Sequence, residues 1–346
     1  MPLKWGIITA GNIARTFASG LKASKTGELV ATGARDRERA ESLAQAWGGR
    51  AYGSYDQVLQ DPEVEAVYIA TPHHLHAEWT IAAALAGKAI LCEKPFTLNS
   101  LEAVGALSEV DRAGVFFMEA FMYRCSPQTR KLVELLDAGA VGKVQAIDAE
   151  FSYGSSLDLV NFRTDPAIGG GGIMDVGTYC SSFCCLVAGQ DPDRVDYVAN
   201  LDRGYDSYGA GVLQFPNGIV AKIASGVHLP MANQAVIYGD EGNIRIEDPW
   251  KSPVGTMMTL TRYDGVPYDP RPQAEPDTAG KQGPGPSVET FSLGCTTAEL
   301  YAYEADAVAE FVGHKECPYM PVADTLRNMR ILDQMRLSCG LSFGGK

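Results

Sequence analysis

The stretch Trp5-Gly6-Ile7-Ile8-Thr9-Ala10-Gly11-Asn12-Ile13-Ala14 decides the fold of the N-terminal half. Residues 5–9 are an apolar run typical of a buried strand, and residues 12–22 have the apolar spacing of a helix. Gly11 and Ala14 fit a degraded G-x-G-x-x-G/A turn, in which backbone between strand and helix meets a pyrophosphate. We therefore expect Thr9, Ala10, Gly11, Asn12 and Ile13 to hold a dinucleotide. An ordinary tight turn is the alternative.

Strand and helix continue to alternate through the first half of the chain. Further strands are predicted at 28–34, 64–70, 89–92 and 115–118, with helices at 37–47, 77–86 and 100–113. This alternation predicts a doubly wound parallel sheet with helices on both faces, the α/β architecture of a Rossmann domain, over residues 1–123.

The pattern changes after about residue 125 to strands of period two. A helix at 127–138 is followed by predicted strands at 144–153, 194–201, 209–215, 220–227, 235–238, 243–247 and 257–262. Helices are predicted at 299–312 and 323–339, and the proline-rich residues 263–289 predict a loop or lid. We expect residues 124–346 to form an α+β domain with a large, mostly antiparallel open sheet. Its last helix can pack back on the first domain.

Composition narrows the possible partners. A chain of 346 residues with 46% hydrophobic residues suits two domains with sizeable cores. The net charge of −13 disfavours binding to nucleic acid or to an anionic membrane. No charged leader and no apolar run of membrane-spanning length is apparent, which predicts a cytoplasmic protein with reduced cysteines.

The end of the second strand bears on the choice of cofactor. Arg35 comes first in Arg35-Asp36-Arg37-Glu38-Arg39, and Arg39 lies one helical turn on. Two guanidinium groups suit the 2′-phosphate of NADP, through charge-assisted and often bidentate hydrogen bonds. Asp36 keeps NAD as a weaker alternative, and a solvated charged helix start remains the ordinary interpretation.

Three histidines follow the third strand in Thr71-Pro72-His73-His74-Leu75-His76. No acidic or thiol ligand accompanies them at helical spacing, so we predict no metal site. We expect Thr71, Pro72, His73 and His76 to form a loop over the nicotinamide end of the cofactor.

A carboxylate and an ammonium arrive together at the end of the fourth strand, in Glu93-Lys94-Pro95. Ligands bind at the carboxyl ends of the strands in an open α/β sheet. We expect Lys94 to act on the substrate and Glu93 to hold Lys94 or the cofactor. A surface ion pair is the alternative.

Asp175 and Tyr179 lie four residues apart on the helix that follows a run of four glycines, and so share a face. The ammonium of Lys94 would lower the pKa of the Tyr179 phenol, which could then exchange a proton with a substrate hydroxyl. Asp175 would hold a neighbouring hydroxyl, and Arg124 and Arg163 are candidate substrate contacts. An amphipathic helix whose tyrosine caps the core has the same spacing.

Together these motifs resemble the glucose-fructose oxidoreductase / inositol dehydrogenase family of NAD(P)-dependent oxidoreductases over nearly the whole chain. The motifs that carry the resemblance are Trp5 to Phe17, Ala34-Arg35-Asp36, Thr71-Pro72 to His76, Ala86 to Pro95, Glu119 to Gln128, and Gly171 to Tyr179. The branch of dimeric dihydrodiol dehydrogenase and the sugar dehydrogenases is the most similar. The resemblance implies that Lys94 and Tyr179 are a catalytic pair and that Arg35 and Arg39 select NADP.

The resemblance implies an NADP-dependent oxidoreductase acting on the CH–OH group of a sugar, such as glucose or xylose, or of a related diol. Two alternatives stay open: an enzyme with tightly bound NADP that shuttles hydride between two sugars, and a non-catalytic nucleotide-binding regulator. Cys125-Ser126 replaces the aromatic–histidine pair of many sugar-active relatives, which reshapes the substrate pocket. The resemblance also implies a homodimer or homotetramer formed through the C-terminal sheet.

Overall fold

In a computed structural model, which describes residues 1–156, 161–263 and 286–341, the chain contains two sheets. The first half forms strands β1 Leu3–Ile8, β2 Gly27–Gly33, β3 Arg50–Tyr52, β4 Ala66–Ile69, β5 Ala89–Glu93 and β6 Phe117–Ala120. The helices between them are α1 Asn12–Ala23, α2 Arg37–Trp47, α3 Tyr55–Gln60, α4 His76–Leu85 and α5 Ser100–Ala113.

This first sheet has six strands in the order β3-β2-β1-β4-β5-β6, and all its pairs are parallel. The predicted doubly wound sheet is confirmed. The strand order reverses between β1 and β4, and at such a point a crevice opens beyond the carboxyl ends of the strands. The segments that leave β1, β2, β4 and β5 therefore converge on one edge of the sheet.

One strand and one helix of this half were not predicted from the sequence. Strand β3 has three residues at the sheet edge, too few to show a period of two. Helix α3 has six residues and begins at Ser54, whose side chain accepts a hydrogen bond from the Gln57 N–H. Ser54, a residue type favoured at helix N-caps, was the signal in the sequence that could have predicted this helix.

The described residues of the second half form a larger sheet and further helices. The strands are β7 Val144–Ser152, β8 Arg194–Asp202, β9 Tyr205–Gln214, β10 Val220–Gly226, β11 Gln234–Gly239, β12 Gly242–Glu247, β13 Met257–Arg262 and β14 Ser287–Ser292. The helices are α6 Pro127–Asp137, α7 Thr178–Ala188, α8 Thr297–Phe311 and α9 Val322–Ser338.

The larger sheet has eight strands in the order β14-β13-β12-β11-β7-β10-β9-β8. Among the strands that the structure describes, the β7–β10 pair alone is parallel, so the prediction of a mostly antiparallel sheet is confirmed. The end of the predicted loop or lid at 263–289 is instead part of a strand. Strand β14 begins at Ser287 and pairs along β13. The rest of that prediction, residues 264–285, lies outside the described residues.

The last two helices pack on the first sheet's helical layer. Helix α8 lies against α1, where a Cβ at Gly20 would be 2.5 Å from the Tyr301 Cβ. Helix α9 packs against α5, β6 and α7. In the described part of the chain, Pro166–Ala188 alone is long and apolar enough to cross a membrane, and 83% of its most apolar window is buried inside the molecule, as in a core helix.

Candidate functional site

A cavity of about 620 Å³ opens at the carboxyl edge of the first sheet, within the size range of small-molecule and cofactor sites. Most of the residues singled out from the sequence lie on its wall. These are Thr9, Gly11, Asn12, Ile13, Arg35, Arg39, Thr71, Pro72, His73, His76, Glu93, Lys94, Arg163, Asp175 and Tyr179. Ala10 lines a smaller neighbouring cavity of about 290 Å³ with Arg35, Asp36 and Arg39. Arg124 lines neither.

One end of the cavity is formed by the turn between β1 and α1. Thr9 takes the place of the first glycine of the turn and adopts its backbone conformation, with φ at 93°. A Cβ added at Gly11 would meet nothing within 4 Å, so the space beside this backbone is open. A turn of this shape leaves room for a group that touches the main chain.

Helix α1 also leaves its N-terminal N–H groups available. It has no side-chain cap and no acidic residue in its first turn. Uncapped N–H groups and the helix dipole favour an anion at this position. The turn therefore fits a pyrophosphate.

Two arginines, Arg35 and Arg39, lie at the same end of the cavity. Within the described residues, the guanidinium groups of Arg35 and Arg39 make no hydrogen bond or ion pair, although the neighbouring Arg37 pairs with Glu41 at 2.9 Å. The Asp36 side chain accepts a hydrogen bond from the Glu38 N–H at 3.1 Å and so caps α2. Two guanidinium groups without an ion pair in this part of the chain, beside a carboxylate that already accepts a backbone hydrogen bond, suit a phosphate better than a ribose hydroxyl.

The loop after β4 is tied to the loop after β5 by His76. Its ring nitrogens lie 2.8 Å from the Thr71 carbonyl oxygen and 3.0 Å from that of Pro95. Burial lowers the pKa of His76 to about 4, and that of its neighbour His73 to about 3, so both rings are neutral and His76 donates to only one of the two carbonyl oxygens at a time. In residues 1–156, 161–263 and 286–341, no three His, Cys, Asp or Glu side chains group together to hold a metal ion.

Lys94, at the end of β5, anchors the other end of the cavity. Its Nζ donates to the Asp175 backbone oxygen at 2.7 Å and lies 3.2 Å from Asp175 Oδ1. The Tyr153 hydroxyl donates to Asp175 Oδ2 at 2.5 Å, and Arg163 Nε lies 3.2 Å from the same oxygen. One buried carboxylate thus joins two cations and a phenol.

The charge on Asp175 is stable in this setting. Burial alone would raise the pKa of its carboxyl, but the positive charges of Lys94 and Arg163 and the Tyr153 hydrogen bond lower it to about 2. Burial, together with the negative charge of Asp175, raises the pKa of Tyr153. Asp175 is therefore a carboxylate and Tyr153 a neutral phenol throughout the neutral pH range.

Asp175 is held in place by a π-helical turn, Ile173–Gly177, that runs into α7. Gly171 has φ of 121°, and a Cβ there would lie 2.1 Å from Asp206 Oδ1. Asp206 Oδ2 accepts the Ile173 N–H at 2.6 Å. The glycine run thus approaches Asp206, a contact that fixes the start of this turn.

The prediction that Lys94 lowers the pKa of the Tyr179 phenol is wrong. The Lys94 ammonium lies 5.1 Å from the centre of the Tyr179 ring, and the phenol hydroxyl is directed at Met122 Sδ, 3.4 Å away. Burial raises the pKa of Tyr179 well above its usual value, and the nearby Tyr301, Glu93 and Asp175 raise it further. Tyr179 is a neutral phenol at the cavity wall.

Arg124 is not a substrate contact, which corrects the expectation from sequence. Its side chain is 2% exposed, and its guanidinium pairs with Asp324 at 3.1 Å and donates to the Ser182 carbonyl oxygen at 3.1 Å. It holds α9 to α7. Arg163 does line the cavity, with its side chain 41% exposed.

Several wall residues were missed. They are Tyr55, Ala70, Met122, Phe151, Tyr153, Phe162, Val176, Lys251 and Tyr301. Phe151 and Tyr153 lie at or just beyond the end of β7, and Lys251 in the turn after β12. Met122 and Val176 lie inside motifs but were not singled out. Phe151, Tyr153 and Lys251 belong to no motif, because the larger sheet brings them to the cavity through pairings distant in sequence.

Comparison with known proteins places these features in a family. Residues 3–121 match the model of the oxidoreductase family with an NAD-binding Rossmann fold, and residues 129–245 match the GFO/IDH/MocA C-terminal domain. The trans-1,2-dihydrobenzene-1,2-diol dehydrogenase of Bos taurus is 32% identical over 350 residues, which covers 99% of this chain and 98% of that protein.

Solved structures agree over nearly the full length. A 3-ketoreductase from Actinomadura kijaniata, in complex with NADP and TDP-benzene, has 26% identity and a TM-score of 0.83, with 98% of each chain covered. The aldose-aldose oxidoreductase of Caulobacter crescentus, in complex with glycerol, has 22% identity and a TM-score of 0.82, over 98% of this chain and 97% of that one. The second likeness is one of fold.

Proposed function

The chain belongs to the oxidoreductase family with an NAD-binding Rossmann fold and a GFO/IDH/MocA C-terminal domain, and on that premise we propose an NADP-dependent hydride transfer to or from a sugar or related diol. Membership confirms the resemblance of the motifs and makes the protein an enzyme of the dehydrogenase type. A single observation carries the proposal: one cavity joins the open turn at Gly11 and the unpaired Arg35 to Lys94, Asp175 and Tyr179.

The preference for NADP over NAD rests on the dinucleotide end. The main chain at Gly11 and the start of α1 would hold the pyrophosphate, and Arg35 and Arg39 the 2′-phosphate. Asp36 caps α2, which weakens it as a partner for a ribose hydroxyl. When bound, NADP supplies the hydride acceptor or donor.

The reaction end supplies positioning and proton transfer. Lys94 and Tyr153 are fixed by Asp175, so the Lys94 ammonium and the Tyr153 hydroxyl oxygen, which can still accept a hydrogen bond, are held at one point of the wall. Tyr179, a neutral phenol, would donate its proton to a carbonyl oxygen during reduction. In both directions, Lys94 would turn from Asp175 toward the phenol oxygen, where it would stabilise the phenolate that reduction leaves and that accepts the proton in oxidation.

Substitution of Tyr179 by phenylalanine tests this assignment. Loss of the proton donor should lower kcat by roughly 10²-fold or more, while the Kd for NADP stays unchanged. Tyr303→Phe is the matched control, since Tyr303 lies half-buried on α8, outside the cavity wall. Near-normal turnover by Tyr179→Phe would remove Tyr179 from the mechanism.

The absorbance spectrum of the purified protein separates the proposal from a two-sugar shuttle. An enzyme that exchanges its cofactor at each turnover should be purified without a nicotinamide band. A stoichiometric band that survives gel filtration would favour the shuttle.

We also propose self-association through the outer face of the larger sheet. Val198, Val212, Val220 and Tyr238 are 74%, 42%, 45% and 41% exposed on four of its strands. Exposed apolar side chains on a broad, flat face are typical of an interface. Light scattering during gel filtration should give a dimer or tetramer mass, and a monomer mass at micromolar concentration would contradict it.

A further inference from the structure

The substrate end of the cavity carries two cations that its carboxylates do not fully neutralise. Lys251 lines the wall, with its ammonium 6.0 Å from the centre of the Phe151 ring, and it makes no ion pair within the described residues. Arg163 shares Asp175 Oδ2 with Tyr153 through its Nε atom. No hydrogen bond engages its two terminal nitrogens within that same part of the chain.

Asp175 cannot balance the charges around it. Its carboxylate already pairs with Lys94 and Arg163. Asp248 accepts the Lys251 backbone N–H at 3.1 Å and feels the charge of the Lys251 ammonium, but the two side chains form no ion pair within the described residues. Glu93, the other acidic wall residue, accepts hydrogen bonds from the Tyr68 hydroxyl and the Lys94 N–H, and burial raises the pKa of its carboxyl. The wall of the substrate end thus brings together three cations, Lys94, Arg163 and Lys251, and two carboxyl groups, Asp175 and Glu93, in a chain whose net charge is −13.

Each of these two cations stands beside an aromatic ring. The Arg163 guanidinium carbon lies 4.4 Å from the centre of the Phe162 ring, and Lys251 faces Phe151. Rings of this kind take the C–H face of a sugar or the apolar face of a cyclic diol, while the adjacent cations reach its polar edge. An apolar floor with cations at the rim suits a ring that bears an anionic substituent.

We propose that the substrate is a sugar or cyclic polyol bearing a carboxylate or phosphate, bound by Lys251 and Arg163. This inference rests on the proposed function and narrows its substrate class. The cations recognise the negative charge shared by both substituents, and the anion lies at the end of the cavity remote from Arg35 and Arg39, which serve the cofactor.

Matched substrates test the inference directly. Glucose, galactose and mannose would each be assayed as the neutral sugar, the uronate and the 6-phosphate, with kcat/KM read from the absorbance of reduced NADP. At least one anionic form should exceed its neutral parent by about tenfold or more, as expected for one new charge-assisted hydrogen bond. The carboxylate and phosphate arms identify which substituent is bound.

Variants then locate the effect. Lys251→Gln and Arg163→Gln should each lower the ratio of anionic to neutral kcat/KM by about tenfold, mainly through KM. Lys143 is exposed and lies outside the cavity wall, so Lys143→Gln should leave that ratio at the wild-type value.

Three outcomes of these assays would count against the proposals, each in a different way. Turnover of neutral sugars or diols, with anionic forms no better, would overturn the inference and leave the proposed function standing. An anionic preference that both Gln variants retain would also overturn it, because other groups would then bind the anion. No turnover of any sugar or diol, with either cofactor, would count against the proposed function itself.

Discussion

Gly11→Ala should separate the folding role of the β1–α1 turn from its binding role. Gly11 has φ of −76° and ψ of −176°, which any residue adopts, and a Cβ there would meet no heavy atom within 4 Å. The protein therefore gives no steric reason for glycine. A ligand that touches this backbone does, because the methyl group would occupy the space where a pyrophosphate approaches.

The magnitude follows from the hydrogen bonds at risk. One or two charge-assisted bonds between phosphate and main-chain N–H would be lengthened, at about 1.5–3 kcal/mol each, so the Kd for NADP should rise roughly 10- to 100-fold. The free energy of unfolding should change by less than about 0.5 kcal/mol, because the poorer N-cap preference of alanine is offset by the lower conformational entropy of its unfolded chain.

Two titrations and a control complete the experiment. NADP binding is measured by calorimetry and stability by denaturant unfolding, for wild type, Gly11→Ala and Gly105→Ala. Gly105 lies inside α5 with open space around its Cβ, so its alanine variant should gain about 0.5–1 kcal/mol and bind NADP normally. Unchanged NADP affinity in a folded Gly11→Ala protein would refute the placement of the pyrophosphate.

Three further changes probe separate parts of the account. Arg39→Ala should lower the NADP-to-NAD ratio of kcat/KM by about tenfold, as steady-state rates would show; an unchanged ratio would leave the 2′-phosphate without this partner. Thr9→Gly should raise the free energy of unfolding by about 1 kcal/mol, because threonine at φ of 93° is strained; a destabilised variant would contradict this. Burial raises the pKa of Glu119 to about 8, so the folded state holds its proton longer than the unfolded chain and stability should fall as pH rises from about 4.5 to 8. Glu119→Gln, which keeps an acceptor for the Phe96 N–H, should flatten that fall in melting experiments, and an unaltered slope would argue against a proton on Glu119.

Local signals were sufficient for the N-terminal half. Apolar runs and the Gly11 turn specify strand, turn and helix within ten or so residues, and parallel strands joined by helices leave few arrangements. Lys94 was expected at this edge for the same reason, because it directly follows strand β5, and it lies on the cavity wall. Short elements such as β3 lie below the length at which a period is visible.

The substrate end depended on contacts that no local pattern contains. Arg124 and Arg163 look alike in sequence, yet one is buried against Asp324 and the other lines the cavity. Tyr153 reaches Asp175 only because β7 and the turn before α7 meet in the fold. The pKa of Tyr179 likewise follows from its burial, which spacing along a helix does not reveal.

A crystal structure of the protein soaked with NADP tests the central claim most directly. The account predicts the 2′-phosphate between the guanidinium groups of Arg35 and Arg39, the pyrophosphate on the Gly11 main chain, and the nicotinamide ring at the end of the cavity that holds Lys94 and Tyr179. A nicotinamide ring directed away from Lys94 and Tyr179, with the adenosine end in place, would contradict it.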